Sequence, residues 1–244
     1  MTQAPPGALT RKLVPLRAAL GLFTVIPVPA VPEISGAEAA RAVLWLPVAG
    51  ALIAVPAAGL LLAVEAGGHA TPRVLLAAAL AIGVLAALTG GLHLDGLADT
   101  ADGLGSRRPR DDALAIMRRP DVGPFGVVAL LLVVVVQITA LATVAPGWPG
   151  AAALAVAVVT GRVAVVLATG PGSPAARPDG FGALVAGATT LLARIVAAVL
   201  AGLLAAGLLR RIAIWQLGGL TGDVFGALIE VSTAMVLVTL ALTG

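Results

Sequence analysis

Residues 73–103 read RVLLAAALAIGVLAALTGGLHLDGLADTADG, an apolar run that passes through two glycines into three aspartates. After Arg73 the run carries no charge until Asp95, long enough to cross a bilayer, which takes about 20 apolar residues. Asp95, Asp99 and Asp102 follow at i, i+4 and i+7, so a helix places them within roughly 60° of one face. Carboxylates at that spacing repel one another. Asp102, beside the expected helix stop Gly103, also meets the negative end of the helix dipole. A bound cation offsets both penalties, and hard oxygen donors in a row suit Mg²⁺ or Mn²⁺ shared with phosphates. The stretch predicts a membrane helix with a metal-dependent site at its end.

The rest of the 244-residue chain extends the membrane reading. Hydrophobic residues make up 59% and charged residues 11%, against roughly 25% charged in soluble domains, and the mean hydropathy is +1.07. This predicts an all-α fold: a polytopic integral membrane helical bundle of about six to seven spans, in a single domain over 1–244. The alternating strands a barrel needs do not occur. With no cysteine, disulfides, thiolate metal sites and cysteine nucleophiles are excluded. The net charge of +3 comes almost wholly from arginine, with Lys12 the only lysine. Arginines in short loops of such a chain set topology and meet anionic lipid; they do not indicate nucleic acid.

Spans are expected at 43–64, 73–94, 125–145, 151–169, 183–209 and 224–243. The first helix starts near Ser35, where Glu38 completes a capping box, and is bent by Pro47 and Pro56. Pro146-Gly147-Trp148-Pro149 joins the third and fourth spans as an antiparallel hairpin. The polar loop 104–124 holds a short amphipathic helix over 111–119 that turns Leu114 and Met117 towards the lipid or the bundle. Arg11, Lys12 and Arg17 precede an apolar stretch interrupted by prolines, which reads as a short membrane-associated helix and not a removable signal. The positive-inside rule places 104–124 and Arg177 in the cytoplasm. As one helix, 181–209 spans about 40 Å, long for one crossing and short for two. A re-entrant or interfacial segment at 181–193 would keep Arg210, Arg211 and Asp223 on the cytoplasmic side; a single crossing would not, and the sequence leaves both open.

Half of the twelve acidic residues lie between 95 and 121, at the end of a span. His93 points away from Asp95 on a continuous helix. A break at Gly90-Gly91 would turn it inward, as a general acid/base or a donor to phosphate. Asp223 and Glu230 share a face of the last helix at i, i+7. Asp223 either caps that helix or joins the metal site; Glu230 needs a buried partner such as Arg162 or Arg194, or the metal itself. Arg107, Arg108, Arg118, Arg119 and Arg177 are available for charge-assisted contacts to phosphate. Together these residues predict phosphoryl transfer at a membrane surface, with no Walker loop, serine elbow or zinc motif competing.

The run GGLHLDGLADTADGLGS resembles the signature of the cobalamin synthase family, the adenosylcobinamide-GDP ribazoletransferases. The resemblance continues in order through GLFTVIPVP at 21–29, RAVLWLPVAGALIA, IMRRPDVGPFG at 116–126, ARPDGFG at 176–182 and GGLTGDVFGALIE at 218–230. It implies an integral membrane enzyme that uses Mg²⁺ to join adenosylcobinamide-GDP to α-ribazole, or its 5′-phosphate, with release of GMP. On that resemblance Asp95, Asp99 and Asp102 hold Mg²⁺ on the diphosphate and Asp223 completes the set. One of these carboxylates, or His93, assists the attacking hydroxyl, and Arg107, Arg118, Arg119 and Arg177 bind the substrate phosphates. Where the family often has a Met-Lys-Asp-Ser-Arg run, this chain has Met117-Arg118-Arg119-Pro120-Asp121, with Arg118 at the basic position. The implied location is the inner membrane, with the site facing the cytoplasm. A homo-oligomer or association with other corrinoid-pathway enzymes stays open. CDP-alcohol and prenyl-type transferases are the alternative enzymes, but the arginine of their aspartate motif is absent between 95 and 102. An ion transporter would spread its carboxylates over mid-span positions or inverted repeats.

Overall fold

Apolar runs become helices over nearly their full length in the computed structural model, which describes residues 8–29, 35–144, 146–170, 172–188, 210–214 and 217–243. The helices are α1 (Ala8–Phe23), α2 (Gly36–Glu65), α3 (Thr71–Leu88), α4 (Leu92–Gly105), α5 (Arg110–Ile116), α6 (Pro124–Thr143), α7 (Trp148–Ala168), α8 (Phe181–Val185) and α9 (Gly222–Thr243). Among the described residues α2, α3, α6 and α7 are long and apolar enough to cross a membrane. The fold is a polytopic helical bundle. α1 has only a short apolar segment, Val14–Phe23, and packs along α2.

The capping box at the start of α2 forms as expected. Ser35 Oγ accepts from the Glu38 N–H at 3.3 Å and Glu38 Oε2 accepts from the Ser35 N–H at 2.9 Å. α2 then runs unbroken through Pro47 and Pro56, longer than the expected 43–64 span. α5 covers 110–116, close to the expected amphipathic helix, and Leu114 and Met117 are buried. Most of the 183–209 span lies outside the described residues, as does Trp215.

α7 is the centre of the bundle: 72% of its membrane-length window is buried, against 22% for α6. Its main neighbours are α2 and α9, and α6 and α7 barely touch despite the short loop between them. The expected hairpin is a connection and not a packing unit. α6 turns Val127, Val128, Leu131, Leu132 and Val135 outward, as a lipid-facing helix does.

Polar loops collect at one end of the bundle, where α3 gives way to α4 and where α5, α8 and the start of α9 lie. There α4 and α9 cross at van der Waals limit. A Cβ on Gly96 would sit 2.7 Å from the Asp223 carbonyl oxygen, and one on Gly226 would sit 2.9 Å from the His93 carbonyl oxygen. Small residues let helices approach closely in lipid, where no hydrophobic drive brings them together. Both obstacles are backbone, so an added methyl cannot be accommodated by a side-chain swing. Gly96→Ala and Gly226→Ala should each destabilise the detergent-solubilised protein by about 1–3 kcal/mol through overpacking. Gly59→Ala on α2, where nothing lies within 4 Å, should be neutral or slightly stabilising. Thermal unfolding of the three variants measures the contrast.

Candidate active site

The site begins at the break between α3 and α4. Gly90 and Gly91 adopt φ of +60° and +73°, a region open to glycine at little cost. Their N–H groups reach back to the carbonyls of Ala87 (3.0 Å) and Ala86 (2.8 Å), the paired bonds of a Schellman motif. The expected 73–94 span therefore stops at Leu88, and the aspartates ride on a separate 14-residue helix. The restart turns His93 inward, where it is 3% exposed.

Along α4 the three aspartates take different roles. Asp95 is exposed, Asp99 is half-buried and Asp102 is buried. Both oxygens of Asp102 are engaged by backbone, one accepting from the Gly123 N–H at 2.7 Å and the other from the Gly126 N–H at 2.9 Å. These donors belong to the first turn of α6, so the carboxylate satisfies groups a helix start leaves unpaired and sits at the positive end of that dipole. Gly103 is not the helix stop, since α4 runs on to Gly105. The penalty expected at Asp102 is met by a neighbouring helix and needs no cation.

Asp223 arrives on α9. Its helix is capped by Thr221, whose hydroxyl accepts from the Val224 N–H at 3.3 Å and lies 3.2 Å from Asp223 Oδ2. Freed from capping, Asp223 faces the Arg177 guanidinium at 4.0 Å. The Arg177 loop is bound to the approach of α9 by a parallel bridge between Ala175 and Leu220. Ala176 N–H donates to Leu220 O, and Leu220 N–H donates to Pro174 O, both at 3.1 Å. Arg110 clamps the same two loops by donating to the carbonyls of Leu217 and Ala176. Asp223 thus shares its end of the bundle with the 104–124 segment, the point on which the sequence was undecided.

The arginines divide in the same way. Arg110, Arg118 and Arg177 line one hollow of about 450 Å³. Arg177 donates to Leu114 O at 3.0 Å, and its buried Nε has no hydrogen-bond partner among the described residues. Arg118 lies 3.4 Å from Asp179. Arg107 and Arg119 are exposed and do not line this hollow. Glu230 stays apart, with Gln137 Nε2 donating to its Oε2 at 2.8 Å. Arg162 lines the same small cavity, and Arg194 lies outside the described residues.

Asp95 borders two further cavities. One is an apolar groove of about 820 Å³ between residues 22–25, α4 and α6. The other, about 180 Å³, is shared with Asp223, His93 and three phenylalanines. Asp99 is raised to about 7, first by burial and then by the charges of Asp95, Asp223 and Asp102, with Arg177 opposing. Burial likewise raises Asp223, and Arg177 and Thr221 offset part of that. Burial, then the nearby Arg162 charge, hold His93 well below its usual value, so at neutral pH it is an uncharged imidazole. Among the described residues no three His, Cys, Asp or Glu side chains close on one point as a ready metal cage. The mutual repulsion of Asp95, Asp99 and Asp223 nevertheless fits Mg²⁺, which is commonly held by one or two carboxylates with waters and substrate phosphates.

A family model described as cobalamin-5-phosphate synthase matches residues 15–241. A protein of Frankia casuarinae named adenosylcobinamide-GDP ribazoletransferase is 42% identical over 70% of this chain and 73% of its own length. Relatives with the same name from Bradyrhizobium diazoefficiens and a Nocardioides species are 36% and 39% identical. They cover 93% and 92% of this chain, and 92% and 97% of their own lengths. No solved structure matches.

The different placements of Asp95 and Asp102 have a measurable consequence. Asp102→Asn turns an amide donor against a backbone N–H, leaving a buried group unsatisfied at a cost of about 1–3 kcal/mol. Asp95→Asn, at an exposed position, should leave the unfolding temperature unchanged. Thermal melts in detergent should separate the two, and equal melting temperatures would remove the capping role.

Proposed function

The chain belongs to the cobalamin-5-phosphate synthase family, and from that premise we propose that it joins adenosylcobinamide-GDP to α-ribazole or its 5′-phosphate at the membrane. A ribazole hydroxyl attacks the phosphorus that carries cobinamide. A new P–O bond forms there, the P–O bond to GMP breaks, and the products are GMP and adenosylcobalamin or its 5′-phosphate. The observation that carries this reading is the meeting of Asp95 and Asp99 of α4 with Asp223 of α9, opposite Arg177. Acidic and basic groups that face one another suit a diphosphate that needs both.

Asp95 and Asp223 are the residues that would hold Mg²⁺, within the one or two carboxylates such an ion commonly takes, which leaves Asp99 beside them free to act as a base. When bound, the ion neutralises diphosphate charge and favours departure of a phosphate leaving group. Arg177, with its unpaired Nε, and Arg110 and Arg118 beside it bind the phosphates of the donor and of GMP. Asp99 is the carboxylate whose proton affinity suits removal of the hydroxyl proton near neutral pH. His93, uncharged and buried, is a hydrogen-bonding group and not a cation. Asp102 holds α6 in place beside the site. Arginines 107, 108, 110, 118, 119, 177, 210 and 211 all belong to this end of the chain's topology. By the positive-inside rule the site then faces the cytoplasm, from the inner membrane.

Purified protein in detergent, given adenosylcobinamide-GDP, α-ribazole and Mg²⁺, should release GMP. Asp95→Asn and Arg177→Ala should lower the rate at least 100-fold with folding retained. Because Asp99 gains a proton below about pH 7, wild-type GMP release should fall on the acid side of that value. Intact donor and no GMP from folded wild-type protein would overturn the assignment.

A further inference from the structure

The chain holds four phenylalanines and no tyrosine, yet Phe23, Phe181 and Phe225 line the same small cavity although about 200 residues separate the first from the last. Phe181 meets Phe23 edge-on with ring centroids 5.1 Å apart and meets Phe225 edge-on at 6.5 Å. The His93 ring is 6.4 Å from Phe23. Edge-to-face contacts are a favoured way for aromatic rings to pack; Phe23 and Phe225 are buried in that packing, and Phe181 is the ring left partly open. The His93 imidazole is 3% exposed and faces this cavity, with no hydrogen bond to it among the described residues. Asp95 and Asp223 close the same cavity.

Size decides what enters. The cavity of about 180 Å³ lies below the roughly 300–1,000 Å³ of drug-sized pockets, so it admits a ring system and not a macrocycle. The neighbouring apolar groove of about 820 Å³ also borders Asp95. Resting on the function proposed above, we propose that the Phe23–Phe181–Phe225 cavity is the acceptor subsite. It takes the flat heteroaromatic base of α-ribazole against the partly open Phe181 ring, with His93 in the wall beside it and the sugar hydroxyl presented at the carboxylates.

Phe181→Leu keeps apolar volume and removes the ring, and Phe181 is only partly buried, so the variant is expected to fold. It should raise KM for α-ribazole tenfold or more while leaving KM for the donor within twofold and kcat at saturating α-ribazole largely unchanged. In the wild type, free benzimidazole should compete with α-ribazole and not with the donor, and the variant should lose this inhibition. A rise in the donor KM instead, or competition of benzimidazole with the donor, would overturn the subsite. If Phe181→Leu does not fold, the wild-type competition pattern decides alone. If folded wild-type protein releases no GMP, calorimetry with α-ribazole still reads the cavity. Binding that the Phe181 change abolishes supports the subsite, and no binding to wild type refutes it.

Discussion

Everything at the polar end of this bundle depends on the approach of α4 to α9 at Gly96 and Gly226. The two backbones come so close that a methyl on either glycine would meet the other helix's main chain. That contact sets Asp95 and Asp99 beside Asp223, although more than 120 residues separate the two segments in sequence. Without it, the carboxylates would belong to separate helices with no common ligand. In lipid, van der Waals packing of small residues is a main source of such helix association, and it has little tolerance for added volume.

Around that crossing, each acidic residue is either satisfied structurally or left open to the site. Asp102 is spent on the first turn of α6, and Glu230 is paired with Gln137. Thr221 takes the capping role at α9, which releases Asp223. What remains is Asp95, Asp99 and Asp223; burial raises the last two, and Arg177 faces them from a loop paired with the approach of α9. Such a site is poorly satisfied by protein alone, which is the ground on which a divalent ion and a diphosphate are proposed as its partners.

The membrane bundle, the Ser35 cap and the location of the acidic site were legible in the sequence because each rests on local pattern. Hydropathy marks spans, a four-residue motif marks a cap, and i, i+4 spacing marks a helix face. The division of labour among the aspartates was not legible. The spacing of Asp95, Asp99 and Asp102 is the same whether the third faces a metal or caps another helix, and only the position of Gly123 and Gly126 decides. The clamp made by Arg110 was not legible either, because its acceptors lie 66 and 107 residues away. The phenylalanine cavity left no trace in the sequence either, since its rings come from three distant segments. The Gly90-Gly91 pair, by contrast, did signal the break that turns His93 inward.

Because the chain has no native cysteine, the crossing itself can be measured directly. In the double variant Asp95→Cys/Asp223→Cys, a short bifunctional thiol reagent applied to folded protein in membranes or detergent should join the α4 and α9 peptides within one chain. Mass spectrometry of the digest would show the linked pair. Singly labelled peptides from both positions, with no link between them in folded protein, would contradict a site built where α4 meets α9.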